Sequence, residues 1–280
     1  AAAAGLSHYA ASQISDWLYK KRVSSIDEMT NLSKSTREIL SETCTVGHRD
    51  YISCQISTDG TKKYLFPVSS GMFVEAAYIP DRERATLCVS SQVGCKMGCL
   101  FCMTGKQGFQ GNLTAADIIN QIIALPEFET LTNIVYMGMG EPLDNLDEVM
   151  KSLAVLTSDW GFGWSPRRIT VSTIGLVPAM ERFMNESNAH LAVSMHTPFD
   201  EERKRLMPVQ TAYPILQVIE SLRTFDFGLQ RRISFEYIML AGVNDSIRHA
   251  DEIVGLVAGL KCRVNLIRFH PIPDTPLTGS

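Results

Sequence analysis

From residue 84 onward, short β-rich runs alternate with longer stretches of helical period, almost to the end of the chain. Strands are expected at 84–91, 133–139, 167–173, 190–196, 231–240 and 262–270. Helices are expected between them at 114–125, 144–158, 176–185, about 211–224 and 245–259. A strand that leads into a helix of this length returns to a parallel neighbour, since an antiparallel partner needs only a tight turn. The expected class is therefore α/β, with a partial (βα)6 TIM-like barrel. Six strands with five helices leave the last strand uncovered on one face, and the closing PDTPLTGS is loop-like. The natural protein is expected to continue past Ser280, with a final helix and tail.

Ahead of this unit the pattern differs. Residues 6–42 read as helices, with Leu6, Tyr9, Ala10, Ile14, Trp17 and Leu18 at helical spacing. Ser25 with Glu28, and Ser35 with Glu38, fit capping boxes. Residues 51–57, 62–68 and 72–80 are β-rich and separated by DG and SSG turns, as in an antiparallel meander. The expected plan is a helical accessory domain over 1–48, a β meander or linker over 49–83 and a core over 84–280.

No apolar run approaches the ~20 residues of a membrane span, and the opening AAAAG lacks the basic and apolar regions of a secretory signal. Seven cysteines is an odd number, and a chain of 280 residues can build a core without disulfides. A reducing cytoplasm is the expected compartment, with clustered cysteines serving metal binding or catalysis. The net charge of −4 speaks weakly against a nucleic-acid partner. Basic groups at Lys20-Lys21-Arg22, Arg167-Arg168, Arg203-Lys204-Arg205 and Arg231-Arg232 each read first as a solvated face. Only their convergence on one surface would make phosphate contacts of them.

Four of the seven cysteines fall in CVSSQVGCKMGCLFCMTGKQGF, residues 88–109. The spacing Cys95-xxx-Cys99-xx-Cys102 lets one short loop wrap three thiolates around a small inorganic body. A [4Fe–4S] cluster normally takes four protein ligands, so three leave one iron open to an amine and a carboxylate, which S-adenosylmethionine carries. The rival is structural zinc with Cys88 as fourth ligand; zinc sites prefer two well-separated knuckles, and a single CxxxCxxC matches that poorly. Other motifs fall at or just beyond expected strand ends, where the loops of a parallel barrel meet: Gly138-Met139-Gly140-Glu141-Pro142, Ser172, Ser194-Met195-His196 and Asn265.

CxxxCxxC after the first strand of such a pattern resembles the radical S-adenosylmethionine superfamily. Together with NIVYMGMGEPLDN, ITVSTIG, LAVSMHTPFDEERKRLMP and NLIRFHPIP, it resembles the RlmN/Cfr family of RNA adenine methyltransferases over about residues 10–271. The resemblance implies that Cys95, Cys99 and Cys102 hold the [4Fe–4S] cluster, and that Gly140 and Glu141 meet the amino group of S-adenosylmethionine. Ser172, Ser194, Met195 and His196 would hold its carboxylate, ribose and neighbouring parts, and Asn265 its adenine end. Met195 stands where the family usually has Leu, a swap that conserves volume. Cys88 matches a cysteine that forms a transient disulfide with a methyl-carrying cysteine near the C-terminus. Cys262 does not match that partner, so the chain as it stands is expected to bind cofactor without completing methyl transfer. Glu75 matches a glutamate proposed to take the proton as product forms. Cys44 and Cys54 receive no role.

The implied activity is methylation of adenine C2 in 23S rRNA, and in tRNA, through a methyl-cysteine intermediate. Adenine C2 is not nucleophilic, so the chemistry runs through a 5′-deoxyadenosyl radical made with one electron from a donor such as flavodoxin or ferredoxin. The expected protein is a monomer. A C8 adenine methyltransferase shares the cofactor motifs, although residues 10–80 favour the C2 type. A non-catalytic RNA-binding or assembly factor is a rival of another class, and has no use for an oxygen-sensitive cluster. An activase or a tRNA thiolation enzyme fits less well, given the Cys88 and Glu75 matches.

Overall fold

The computed structural model describes residues 5–228 and 232–280. Residues 1–4, the start of the strand expected at 231–240, and Arg231 of the last basic pair lie outside the described residues.

Ser7 accepts from the Ala10 amide at 3.2 Å and opens helix α1 (His8–Ser15), which a wider π turn continues over Asp16–Lys20. The Ser25–Glu28 box forms around a short 3-10 turn. The second expected box does not form. Ser33 caps α2 (Lys34–Thr43), accepting from the Thr36 amide at 3.1 Å, so Ser35 falls inside the first turn. Leu6, Ala10, Ile14, Trp17 and Leu18 pack on Val23, Met29, Leu32 and Leu40 in a small separate core. Tyr9, expected on the same stripe, is 73% exposed.

The meander is β1 (Ser53–Ile56), β2 (Lys62–Pro67) and β3 (Phe73–Asp81), and β3 pairs antiparallel with β4 (Arg84–Cys88), Ala77 opposite Cys88. A two-residue ribbon of β5 (Gln92–Val93) and β6 (Gly111–Asn112) brackets the cysteine loop and its short helix α3 (Met103–Gln107). Next come β7 (Asn133–Tyr136), β8 (Ile169–Thr173), β9 (His190–Ser194), β10 (Ile233–Met239) and β11 (Cys262–Arg268). Six strands run parallel in chain order, β4-β7-β8-β9-β10-β11. The sheet is open, with β1 and β11 at its edges. It runs unbroken from the barrel strands into the segment expected to be a linker, and Tyr64 and Phe66 share its main core.

Each parallel strand alternates. Leu87, Ile134, Tyr136, Ile169, Val171, Leu191, Val193 and Phe235 are fully buried beneath the helices. Those helices are α4 (Ala115–Ile123), α5 (Leu146–Thr157), α6 (Val177–Glu186), α8 (Ile215–Arg223) and α9 (Ile247–Val257). A further helix not expected from the sequence, α7 (Asp200–Leu206), follows β9. Burying each such side chain contributes about 1.5–3 kcal/mol. The whole apolar register is therefore fixed against one face, since a slip of one residue would reverse it. The other face carries Thr86, Cys88, Thr170, Ser172, Ser194, Ser234 and Glu236 and lines the hollow of the part-barrel. At the edge, β11 is less covered: Leu266 is 68% exposed. Among the described residues no helix is long and apolar enough to cross a membrane.

Candidate active site

The cysteine loop leaves β5 and closes back on itself, the Cys95 amide donating to the Gly108 carbonyl at 3.2 Å. This closure requires glycine at position 94, with φ +73, because a Cβ there would lie 1.7 Å from the Gly108 oxygen. The loop is pinned outward too: Leu100 N–H donates to the Leu206 carbonyl at 3.0 Å. Cys95, Cys99 and Cys102 line one cavity of about 280 Å³ at the C-terminal ends of the parallel strands. Burial pushes the Cys95 thiol up to about 11 and raises Cys99 further, and neighbouring negative charge adds to both shifts. Thiols held protonated in this way become ligands when a strongly cationic body displaces their protons.

The three sulfurs do not gather around one point. Among the described residues no three His, Cys, Asp or Glu side chains are placed to share a single ion. A lone zinc needs such convergence, whereas the thiolates of a [4Fe–4S] cube each bind a different iron. Three thiols lining one cavity are the donor set of a cluster with one iron left open.

Gly140, Glu141, Ser172, Ser194 and His196 line the same cavity. Gly140 has φ +98, and a Cβ on it would sit 2.5 Å from Gln92 Cβ, so this backbone lies hard against the segment leading into the cysteine loop. The Glu141 carboxylate is 5% exposed and accepts from Leu143 N–H at 3.1 Å and Ile174 N–H at 2.9 Å. Burial outweighs those bonds and pushes its pKa up to about 7. His196 follows β9 at φ +59, and its Nδ1 accepts from Ile238 N–H at 3.1 Å, which places the ring proton on Nε2. Burial, and then the Arg203 charge, push its pKa down to about 3, so it is neutral. Its ring meets Phe101 of the cysteine loop edge-on at 4.7 Å.

Two residues of the expected cofactor set lie elsewhere. The Met195 side chain is fully buried in the main core. Asn265 lines a lower hollow, and its amide donates to Glu236 Oε1 at 2.9 Å. Glu236 itself lines the cysteine cavity and also accepts from Ser234 Oγ at 2.8 Å. Glu236, Ser234 and Asn265 thus form a floor between the two hollows.

Cys88 is half-buried on β4 opposite Val135 of β7, and burial pushes its pKa up to about 11. All seven cysteines are free thiols. Glu75 is exposed on β3 and paired with Lys63 at 2.9 Å. It lines a second hollow of about 630 Å³ with Met103 and Thr104, which directly follow Cys102, and with Met139. Gly138 and Gly140 face the cysteine cavity while Met139 faces this one, so a single segment separates the two. Glu75 and Ala77 share one face of β3 and Ala77 is opposite Cys88, which puts carboxylate and thiol on the same side of the sheet.

Sequence reasoning missed Arg203. It was expected on a solvated basic face and is 0% exposed. Its guanidinium donates to the carbonyls of Ile174 (2.8 Å), Ser194 (3.1 Å) and Met195 (3.3 Å), and to Gln210 Oε1 (2.6 Å), tying the ends of β8 and β9 together beneath the cavity. Burial pushes its pKa down to about 10, still far above neutrality. A run of three basic residues gives no sign that its first member is buried.

Comparison with known proteins places the chain in a family. The radical SAM superfamily model matches residues 89–253, and the model for the N-terminal domain of ribosomal RNA large subunit methyltransferases matches residues 2–46. The chain is 59% identical to a probable dual-specificity RNA methyltransferase RlmN of Phocaeicola vulgatus, covering 98% of this chain and 79% of that protein. It is 44% identical to the dual-specificity RNA methyltransferase RlmN of Geotalea uraniireducens, covering 95% and 78%. A radical SAM methyltransferase from Sphaerobacter thermophilus superposes with a TM-score of 0.92 at 40% identity, over 99% of this chain and 84% of that one.

Proposed function

The chain belongs to the RlmN family of radical S-adenosylmethionine RNA methyltransferases, and from that premise we propose that it methylates C2 of adenine in 23S rRNA and in tRNA. The observation that carries this reading is the meeting of Cys95, Cys99 and Cys102 with Gly140, Glu141, Ser172, Ser194 and His196 in one cavity. The family's cofactors are a [4Fe–4S] cluster and S-adenosylmethionine, the cluster supplying the single electron that opens the sulfonium.

In this reading the three thiols hold three irons. Glu141 and the Gly140 backbone receive the ammonium group of S-adenosylmethionine, and a cation there makes the buried carboxylate ionise. Neutral His196 offers Nε2–H as a donor. Burial at this end keeps water from the reacting groups. Cys88 supplies the thiol that resolves the protein–RNA adduct, and Glu75 takes the proton from the adenine carbon. The target base must leave its stack to reach the cavity. A small one-electron carrier such as a flavodoxin or ferredoxin serves as donor, and the protein works as a monomer in the cytoplasm with its RNA.

Mass spectrometry of nucleosides from a strain lacking the gene tests the proposal. Loss of 2-methyladenosine from 23S rRNA and tRNA is expected. Its retention, in a genome with one copy, refutes the assignment, and loss of 8-methyladenosine instead would move the reaction to C8.

A further inference from the structure

We propose that the N-terminal rim of the parallel sheet, at the far end of the strands from the cysteine loop, binds a phosphodiester group of the RNA substrate. This rests on the reading of the chain as an RNA methyltransferase. Arg84 is the first residue of β4, Arg167 lies in the turn before β8, Arg232 immediately precedes β10 and Arg263 is the second residue of β11. Parallel strands begin at one end of a sheet, so residues remote in sequence are collected there. All four arginines line one hollow of about 250 Å³ with Asn133 and His190.

Among the described residues no Asp or Glu lines this hollow. Among the described residues the arginines in ion pairs are Arg22, Arg49 and Arg182, none of them at this rim. Arg84 Nη2 donates to Asn133 Oδ1 at 3.2 Å, which holds its guanidinium beside the opening. In a chain of net charge −4 these four cations are no part of a general excess. The one carboxylate beneath the hollow, Glu236, is taken up by Ser234 and Asn265, so the four guanidinium groups above it repel one another and an anion reaching between them relieves this. Their planar forks match phosphate oxygens two at a time.

The cations beside the cysteine loop are engaged otherwise. Lys96 pairs with Asp144 at 2.8 Å, Lys63 with Glu75 at 2.9 Å, and Lys106 donates to the Asp274 carbonyl at 2.8 Å. At the rim four arginines stand open together. Four to seven residues of strand, at about 3.3 Å each, separate the two ends by roughly 15–20 Å. The phosphate it takes accordingly belongs to RNA flanking the target loop, not to the nucleotide being modified.

The test is fluorescence anisotropy of a substrate rRNA fragment with the holoenzyme across a salt series. R167E/R232E is expected to lower affinity tenfold or more and to flatten the slope of log affinity against log salt by about 1–2. R167K/R232K, which keeps the charge, should retain the slope. R182A, which removes a cation already paired with Asp147 and Glu186, should match wild type. RNA-independent release of 5′-deoxyadenosine should be unchanged in all of them, showing that the cofactor end is intact. Equal affinity and slope in R167E/R232E and wild type overturn the proposal. Competition by inorganic phosphate without any effect of R167E/R232E on RNA overturns it too, leaving a free-anion site only. Should wild type bind RNA yet form no 5′-deoxyadenosine on reduction, while R167E/R232E loses binding, the rim stands and the radical methyltransferase reading falls.

Discussion

The two ends of the six parallel strands are built on opposite electrostatic plans. At the C-terminal end the charges nearest the cysteine loop are buried or paired: Glu141 and Arg203 lie in the interior, and Lys96 and Lys63 are neutralised by carboxylates. At the N-terminal end four arginines surround a hollow that, among the described residues, no carboxylate lines. Chemistry on a compact zwitterionic cofactor gains from a desolvated cavity whose few charges are fixed in advance. Holding a large polyanion needs accessible charge and tolerates water. A net charge of −4 averages over both ends and describes neither.

If the ends work independently, damage at one leaves the other intact. Cys99→Ala should abolish iron uptake on anaerobic reconstitution and all 5′-deoxyadenosine formation, while RNA affinity in the salt series stays at wild type. A parallel loss of RNA binding would show that the cysteine loop also organises the rim. Arg203→Met tests the same separation through the scaffold. It strands the carbonyls of Ile174 and Ser194 in the interior, and should destabilise the protein by about 3 kcal/mol in urea unfolding. The loss in cofactor affinity should exceed any loss in RNA affinity, because the strand ends it ties together are those of the cavity.

How much of this was legible beforehand differs along the same lines. The six strands and their covering helices stood out because a period of two beside a period of 3.6 registers in every fully buried residue from Leu87 to Phe235. The cysteine loop was legible because its chemistry is local: three ligands within eight residues need no knowledge of tertiary contacts. The rim was not. Arg84 and Arg263 belong to the two outermost parallel strands, and only the order of those strands brings them to one opening. Arg203 was misread for the same reason, since burial of one basic residue among three is decided by what packs above it. Helix α7 escaped notice because DEERKRL carries a single apolar residue, too few to display a period.

The pH response of the cofactor end sharpens the contrast. Burial raises Glu141 from 4.5 to about 7. A carboxyl group raised in the folded state contributes stability that is fully present below its unfolded value and is lost as pH rises through the folded one. Ligand-free protein should thus lose stability between about pH 4.5 and 7. An ammonium ligand needs the ionised form, so S-adenosylmethionine affinity should climb as pH rises toward 7, by no more than about tenfold per unit, and level off above it. Titration calorimetry of the reconstituted protein measures this. In Glu141→Gln the climb should vanish and affinity at pH 8 should fall. The arginines of the rim stay charged throughout, so Glu141→Gln should leave the pH profile of RNA binding unchanged; a change would couple the two ends.

The smallest effect is expected at Lys63. It meets Glu75 at 2.9 Å with both side chains about half exposed, at 46% and 49%. An ion pair so open to water contributes about 0–1 kcal/mol and weakens further in salt. Lys63→Met should therefore change unfolding stability by less than about 1 kcal/mol, and 0.5 M salt should erase what difference there is. That weakness suits the role proposed for Glu75. A carboxylate that takes a proton from substrate must be able to leave its partner when the base arrives, and a pair this loosely held is opened by the substrate at little cost. The Arg49–Asp117 pair shows the alternative: Asp117 is almost fully buried and accepts from Ser69 and Thr114 as well. Were Lys63→Met to cost several kcal/mol, Glu75 would be built into the scaffold in the manner of Asp117, and the proton would have to go elsewhere.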